Sequence, residues 1–195
     1  MPIYSEKHTK PEEKIIDKFS ELWPDFTRGD FWDRLKCGGY MTLPKTMPLM
    51  CVYMDCLEKG GALSPTYLAL WANTFDLPCV EIKQEALLAM ESGFSGQRPV
   101  DTWKKRMRAL EKWGFIMTKK VASEFNFVLL PNPHLIIEKI HKDPAITYDK
   151  ERREKIYQAL RIKDLEIKGN GFLSREELGK RESKVQTRRR SGSKP

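Results

Sequence analysis

The chain is poor in the residues that build metal and redox chemistry. Its four cysteines, Cys37, Cys51, Cys56 and Cys79, form no C-x-x-C pair and stand at no spacing from a histidine that would make a zinc site. They read as reduced, mostly buried thiols of a cytoplasmic protein. The three histidines, His8, His134 and His141, are not grouped with acids. No nucleophile motif and no phosphate-cradling glycine loop occurs, so catalysis and a bound cofactor are not expected. A secretory leader is not expected, since the opening "MPIYSEKHTKPEEK" is polar. No apolar run approaches the ~20 residues of a membrane span, so no membrane partner is expected. One segment, "EIKGNGFLSREE" (166 to 177), has part of the order of a calcium loop, but Lys168 stands where the third position needs an oxygen ligand. A turn at "GNG" and a short helix capped by Ser174 is the expected structure there.

What is present is a folded composition, 40% hydrophobic and 10% aromatic, with a formal charge of +8 that is unevenly placed. Residues 98 to 120, "RPVDTWKKRMRALEKWGFIMTKK", hold eight Lys or Arg against Asp101 and Glu111, a net of +6. Residues 180 to 195 hold seven basic residues against Glu182, another +6. The remainder is therefore mildly acidic, and charge gathered into two patches points to a polyanionic partner, with nucleic acid leading.

Hydrophobic spacing divides the chain into helices. Residues 11 to 23 have Pro11 at a helix start and an apolar face of Ile15, Ile16, Phe19, Leu22 and Trp23; a shorter helix follows from Thr27 to Leu35. Residues 48 to 58 place Met50, Met54 and Leu57 on one stripe. "SPTYLALWANTF" offers Ser64 as N-cap and Pro65 at the first helical position, with Leu68, Trp71 and Phe75 facing a core. Residues 83 to 91 are expected to carry Leu87, Leu88 and Met90 inward. The next helix runs over 101 to 113, capped by Asp101 or Thr102. Two β-prone runs, "FIMTKK" and "FNFVLLP", then read as a hairpin around the four-residue loop "VASE". "PHLIIEKIHK" returns to helix with Leu135, Ile136, Ile137 and Ile140 inward. Residues 149 to 168 form a charged helix with a narrow stripe of Ile156, Leu160 and Tyr157, a packing arm or a dimer contact.

On the 101 to 113 helix, at ~100° per residue, Met107 and Leu110 fall within about 40° of Trp103 and make the buried face. Lys104, Lys105, Arg108 and Lys112 fall within an arc of about 100° on the other side and are presented together to solvent.

The run "VEIKQEALLAMESGF...VDTWKKRMRALEKWGFIMTKK...FNFVLL" resembles the winged helix-turn-helix domains of bacterial transcriptional regulators and plasmid or mobile-element replication proteins, over roughly residues 45 to 140. The resemblance implies a mainly α fold with a small β-hairpin, extended by helices at both ends. It implies double-stranded DNA as partner, with Arg98, Thr102, Lys104, Lys105 and Arg108 facing it from a recognition helix and Lys119 and Lys120 supporting the wing. Arg98 and Arg108 could each make a bidentate contact to guanine, whereas the lysines suit phosphates. The turn "SGFSGQRP" is longer than in ordinary helix-turn-helix regulators, and "VASE" lacks a basic wing tip. The expected organisation is a helical extension (1 to 39), the winged-helix domain (40 to 145), a charged helical arm (146 to 180) and a disordered basic tail (181 to 195). In the tail Arg188, Arg189 and Arg190 would add nonspecific attraction to nucleic acid. A homodimer through the N-terminal helices or the 149 to 168 arm, and a protein-interaction adaptor on the same scaffold, are the other expectations.

Overall fold

A computed structural model describes residues 17–18, 21–25, 37–74, 77–121, 123–174 and 176–180. The expected helices over 11 to 23 and 27 to 35 lie largely outside the described residues, and the tail 181 to 195 lies wholly outside them. Two compact units are present, residues 1–42 and residues 43–195. All elements below belong to the second.

The second unit is mainly helical with a small three-stranded antiparallel sheet. Its order is α1 (Met47–Asp55), α2 (Ser64–Ala72), β1 (Cys79–Glu81), α3 (Glu85–Glu91), α4 (Pro99–Lys112), β2 (Met117–Lys119), β3 (Phe127–Leu129), α5 (Pro133–Lys142) and α6 (Lys150–Glu166). The strands lie in the order β1-β3-β2. Cys79, Val80 and Glu81 pair with Leu129, Val128 and Phe127, and the same β3 residues pair with Met117, Thr118 and Lys119. No helix among the described residues is long and apolar enough to cross a membrane.

The sheet departs from the two-stranded hairpin expected. β1 is an added strand, and seven residues rather than four separate β2 from β3. In the segment between β2 and β3, Phe125 is buried with its ring edge-on to Trp103, centroids 5.8 Å apart.

Burial also corrects three expected faces. In α2 the fully buried residues are Tyr67 and Leu70, with Thr66, while Leu68 and Trp71 only pack against the core's edge and Phe75 is not described. In α3 the inward residues are Leu88 and Ala89; Leu87 and Met90 are exposed. In α5 Ile137 and Ile140 are buried, and Leu135 and Ile136 are half-buried. The cysteines are all free, but only Cys56 is buried and Cys51 half-buried, while Cys37 and Cys79 are exposed. Burial and the nearby Asp55 carboxylate push the Cys51 thiol up to about 11.

Local chemistry sets the element ends. Ser64 does not cap α2; Asp55, at the end of α1, accepts from Leu63 N (2.7 Å), Ser64 N (2.8 Å) and Ser64 Oγ (2.7 Å). Ser174 does cap the short helix that follows it. Its Oγ accepts from Glu177 N at 3.3 Å while the Glu177 carboxylate accepts from Ser174 N at 2.8 Å, a reciprocal capping box.

The charged α6 packs on α1 and α5 and contributes Tyr157 and Leu160 to the same core as Met50 and Trp103. Arg153 is buried with it, donating to the carbonyls of Tyr148 (2.9 Å) and Ile146 (2.5 Å). These bonds tie the segment before α6 to the helix itself.

Candidate nucleic-acid interface

Helix α4 begins at Pro99, whose missing N–H costs nothing in a first turn. Neither Asp101 nor Thr102 caps it. Arg98 occupies the N-cap position without a side-chain bond, and Thr102 Oγ1 instead donates back to the Arg98 carbonyl at 3.2 Å. The turn from α3 into α4 is closed by Gly93, which takes a φ of 81°. There Gly93 N bonds to Met90 O, and Phe94 N to Ala89 O. Trp103, Met107 and Leu110 are fully buried, as the helical spacing predicts. Arg106 turns away from the basic face. Its Nη2 donates to Gly60 O at 2.6 Å, and its guanidinium fills the space a side chain at Gly61 would need.

Arg98, Asp101, Thr102, Lys104, Lys105 and Arg108 together line one surface depression of about 420 Å³. Lys112, one turn beyond, borders a different depression beside Glu58, Trp113 and Tyr148. Lys119 stands on the solvent face of the sheet in register with Phe127. Lys120 follows it, and its charge acts on the Glu124 carboxyl, which joins it electrostatically to the Arg108 side of α4. Arg188, Arg189 and Arg190 lie outside the described residues.

Three of the four cations expected to face solvent together are engaged by carboxylates from three other segments. Lys104 Nζ meets Glu85, in the first turn of α3, at 2.8 Å; the two side chains are only 27% and 22% exposed. That makes Lys104 as much a tie between α3 and α4 as a surface charge. Lys112 Nζ and Trp113 Nε1 both donate to Glu58 Oε1, at 2.9 and 2.8 Å. Burial pushes the Glu58 carboxyl up, but these hydrogen bonds and the charges of Lys112 and Arg106 outweigh it and hold the group below its ordinary value.

Arg108 makes the one bidentate contact of the three pairs. Its Nε and Nη2 donate to the two oxygens of Glu124, at 2.7 and 2.8 Å, a fork-to-fork contact from α4 to the loop between β2 and β3. The Arg108 hydrogen bond and charge lower the Glu124 carboxyl, and Glu124 raises the guanidinium in turn. Because the contact is side-on, it leaves Nη1 and the second N–H of Nη2, a parallel pair of donors, without a hydrogen-bond partner among the described residues. Arg98, Lys105, Lys119 and Lys120 make no ion pair among the described residues.

The three carboxylates were not foreseen as partners. Glu124 is visible in the sequence as the acid of the "VASE" loop, but nothing local ties it to Arg108. Among the described residues no group of three or more His, Cys, Asp or Glu side chains could hold a metal ion. No family model, curated protein or solved structure matches the chain.

Proposed function

We propose that the chain is a winged helix-turn-helix protein that binds double-stranded DNA, in transcriptional regulation or in plasmid or mobile-element replication and maintenance. The observation that carries this reading is an element order, α2-β1-α3-α4-β2-β3 with strands β1-β3-β2, that presents a depression lined by Arg98, Lys105 and Arg108 on an otherwise well-anchored helix. In this reading α4 enters the major groove, which admits one helix. Arg98 lies at its N-terminal end, where the helix dipole adds to its charge in attracting a phosphate. Lys105 and Lys120 neutralise further phosphates, and the outward donors of Arg108 suit the O6 and N7 acceptors of guanine.

The test is fluorescence anisotropy with a mixed duplex pool across a salt series, comparing the intact chain with one ending at residue 180. Retained binding by the shorter chain, with log affinity falling as log salt rises, is the expected result. Replacing Arg98, Lys105 and Arg108 together by neutral residues should remove it. Lys104 is left in place, because its loss would strand the half-buried Glu85. Unchanged affinity in the folded triple variant rejects this docking.

A second reading, an adaptor that contacts protein through the same scaffold, is favoured by the carboxylates of Glu58, Glu85 and Glu124, which offset much of the charge on α4. It predicts no duplex binding by either chain, even at low salt.

A further inference from the structure

The solvent face of the sheet is apolar at its centre. Side chains alternate across a strand, so with Val80 and Val128 buried in the core, Cys79, Glu81, Met117, Lys119, Phe127 and Leu129 all point the other way. Met117 is 58% exposed, Phe127 43% and Leu129 44%, and the face carries a depression of about 520 Å³. A contiguous apolar patch rimmed by opposite charges marks an interaction surface rather than scattered surface leucines.

The register determines what could cover it. One row across the sheet reads Glu81, Phe127, Lys119, and the next reads Cys79, Leu129, Met117. An acid and a base therefore flank the aromatic ring on opposite sides of β3, each about one strand spacing, ~4.8 Å, away. We propose that this face docks a second copy of the chain about a two-fold axis running along β3.

A two-fold axis along β3 exchanges the β1 side of one sheet with the β2 side of the other while keeping each row level. Glu81 then meets the partner copy's Lys119, and Lys119 the partner copy's Glu81. Phe127 packs on its own copy, Leu129 likewise, and Cys79 faces Met117. Sheets stacked face to face lie ~10 Å apart with strands within about 30° of alignment, so this arrangement is an ordinary one for β-sheet packing. The other in-plane two-fold, perpendicular to the strands, would set Glu81 against Cys79 and Lys119 against Met117, burying both charges unpaired, and is disfavoured for that reason. Glu81 already meets Lys83 of its own strand end at 3.5 Å, an exposed contact that water screens and that the partner's lysine can share. Six outward side chains make a small interface, so the dimer is a concentration-dependent one rather than an obligate one. The surface is separate from the α4 depression, and the inference does not depend on DNA binding.

Sedimentation velocity on the intact chain, from low to several hundred micromolar at low salt, tests it. The wild type should pass from 22.8 kDa toward twice that mass as concentration rises. E81K and K119E should each weaken association by tenfold or more, since each sets like charges across the two-fold twice. The double variant E81K/K119E should recover most of the affinity. Both changed positions lie on an exposed face, and circular dichroism checks that the fold is kept in all three variants. A wild type that stays monomeric throughout overturns the proposal. So does a dimer indifferent to the single changes, which would place the contact elsewhere, or a double variant no better than the singles.

Discussion

Glu124 is the residue at which affinity for DNA and discrimination among DNA sequences should part company. Its two oxygens take Nε and Nη2 of Arg108 at 2.7 and 2.8 Å, so the guanidinium is held in one plane but its charge is locally cancelled. E124Q keeps the shape of the side chain and removes the charge. The amide offers one acceptor instead of two, so the fork opens and Arg108 regains rotational freedom. For binding to a random duplex, the face then presents one more net positive charge. Affinity should rise, and the slope of log affinity against log salt should steepen by up to about 0.9, the increment for one further phosphate neutralised. For a selected site the effect has the opposite sign. A well-held bidentate contact to guanine discriminates roughly ten- to a hundredfold against another base, and a mobile guanidinium forfeits part of that. R108K should lose the same discrimination while keeping the charge, because an ammonium has no fork. The assay is a selection from a randomised duplex library, followed by anisotropy on the winning site and on a scrambled one. Glu124 is held below the ordinary carboxylate range by the Arg108 hydrogen bond, so the pair is complete above that range and is lost only as pH falls through the lowered value. The contrast between wild type and E124Q should therefore not change between about pH 6 and pH 8. An E124Q protein with the wild-type salt slope and the wild-type base preference refutes this role for Glu124.

Two further outcomes concern the fold. L160A should cost about 2–5 kcal/mol by urea denaturation, because Leu160 is fully buried in the common core; a change within experimental error would mean that α6 is a detachable arm. His134 is buried, with Nε2 2.8 Å from Thr46 Oγ1 and its ring edge-on to Phe172. Burial lowers its pKa, only partly opposed by the Asp164 charge. The unfolded chain thus takes up a proton at a higher pH than the native one, and stability should fall as pH drops through the ordinary histidine range, levelling off below the lowered native value. H134Q should flatten that decline in thermal melts from about pH 7.5 to pH 5.5, leaving the contribution of His141, whose pKa burial also lowers. An equal slope in wild type and H134Q refutes the assignment.

The parts of this fold legible in the sequence are those whose cause is local. The amphipathic period of α4 predicted Trp103, Met107 and Leu110 as its buried face, and the Ser174 to Glu177 capping box could be read from two residues three apart. Where the cause is distant, the reading failed in consistent ways. Helix α2 is apolar on every side, so periodicity could not choose between the Leu68 and Trp71 face and the Tyr67 and Leu70 face; its neighbours α1, α3 and α4 make that choice. In α3 the small Ala89 is buried and Met90 is exposed, consistent with a close approach to α2 and α4 in which little side-chain volume is needed. Strand β1 is three residues long and owes its existence to β3, fifty positions further on, a pairing that no window of sequence contains.

The candidate interface follows the same division, and there the consequence is chemical. Local spacing brings Arg98, Lys105 and Arg108 to one side of a helix, but the carboxylates that engage the cations arrive from α3, from the loop after α1 and from the β2–β3 loop, 16 residues away for Glu124 and 54 for Glu58. A helix read alone is a strip of positive charge suited to any polyanion. The folded surface is something narrower: Lys104 and Lys112 are occupied in holding α4 to its neighbours, Arg98 and Lys105 make no ion pair among the described residues and in the proposed docking would meet phosphates, and Arg108 is gripped from one side by Glu124. Its fork is engaged from one side, so the remaining donors can point only where α4 and the β2–β3 loop together aim them. A surface selected only to attract polyanions gains nothing from a carboxylate on its central arginine. One selected to tell one base pair from another does, and that difference separates the two functions physically.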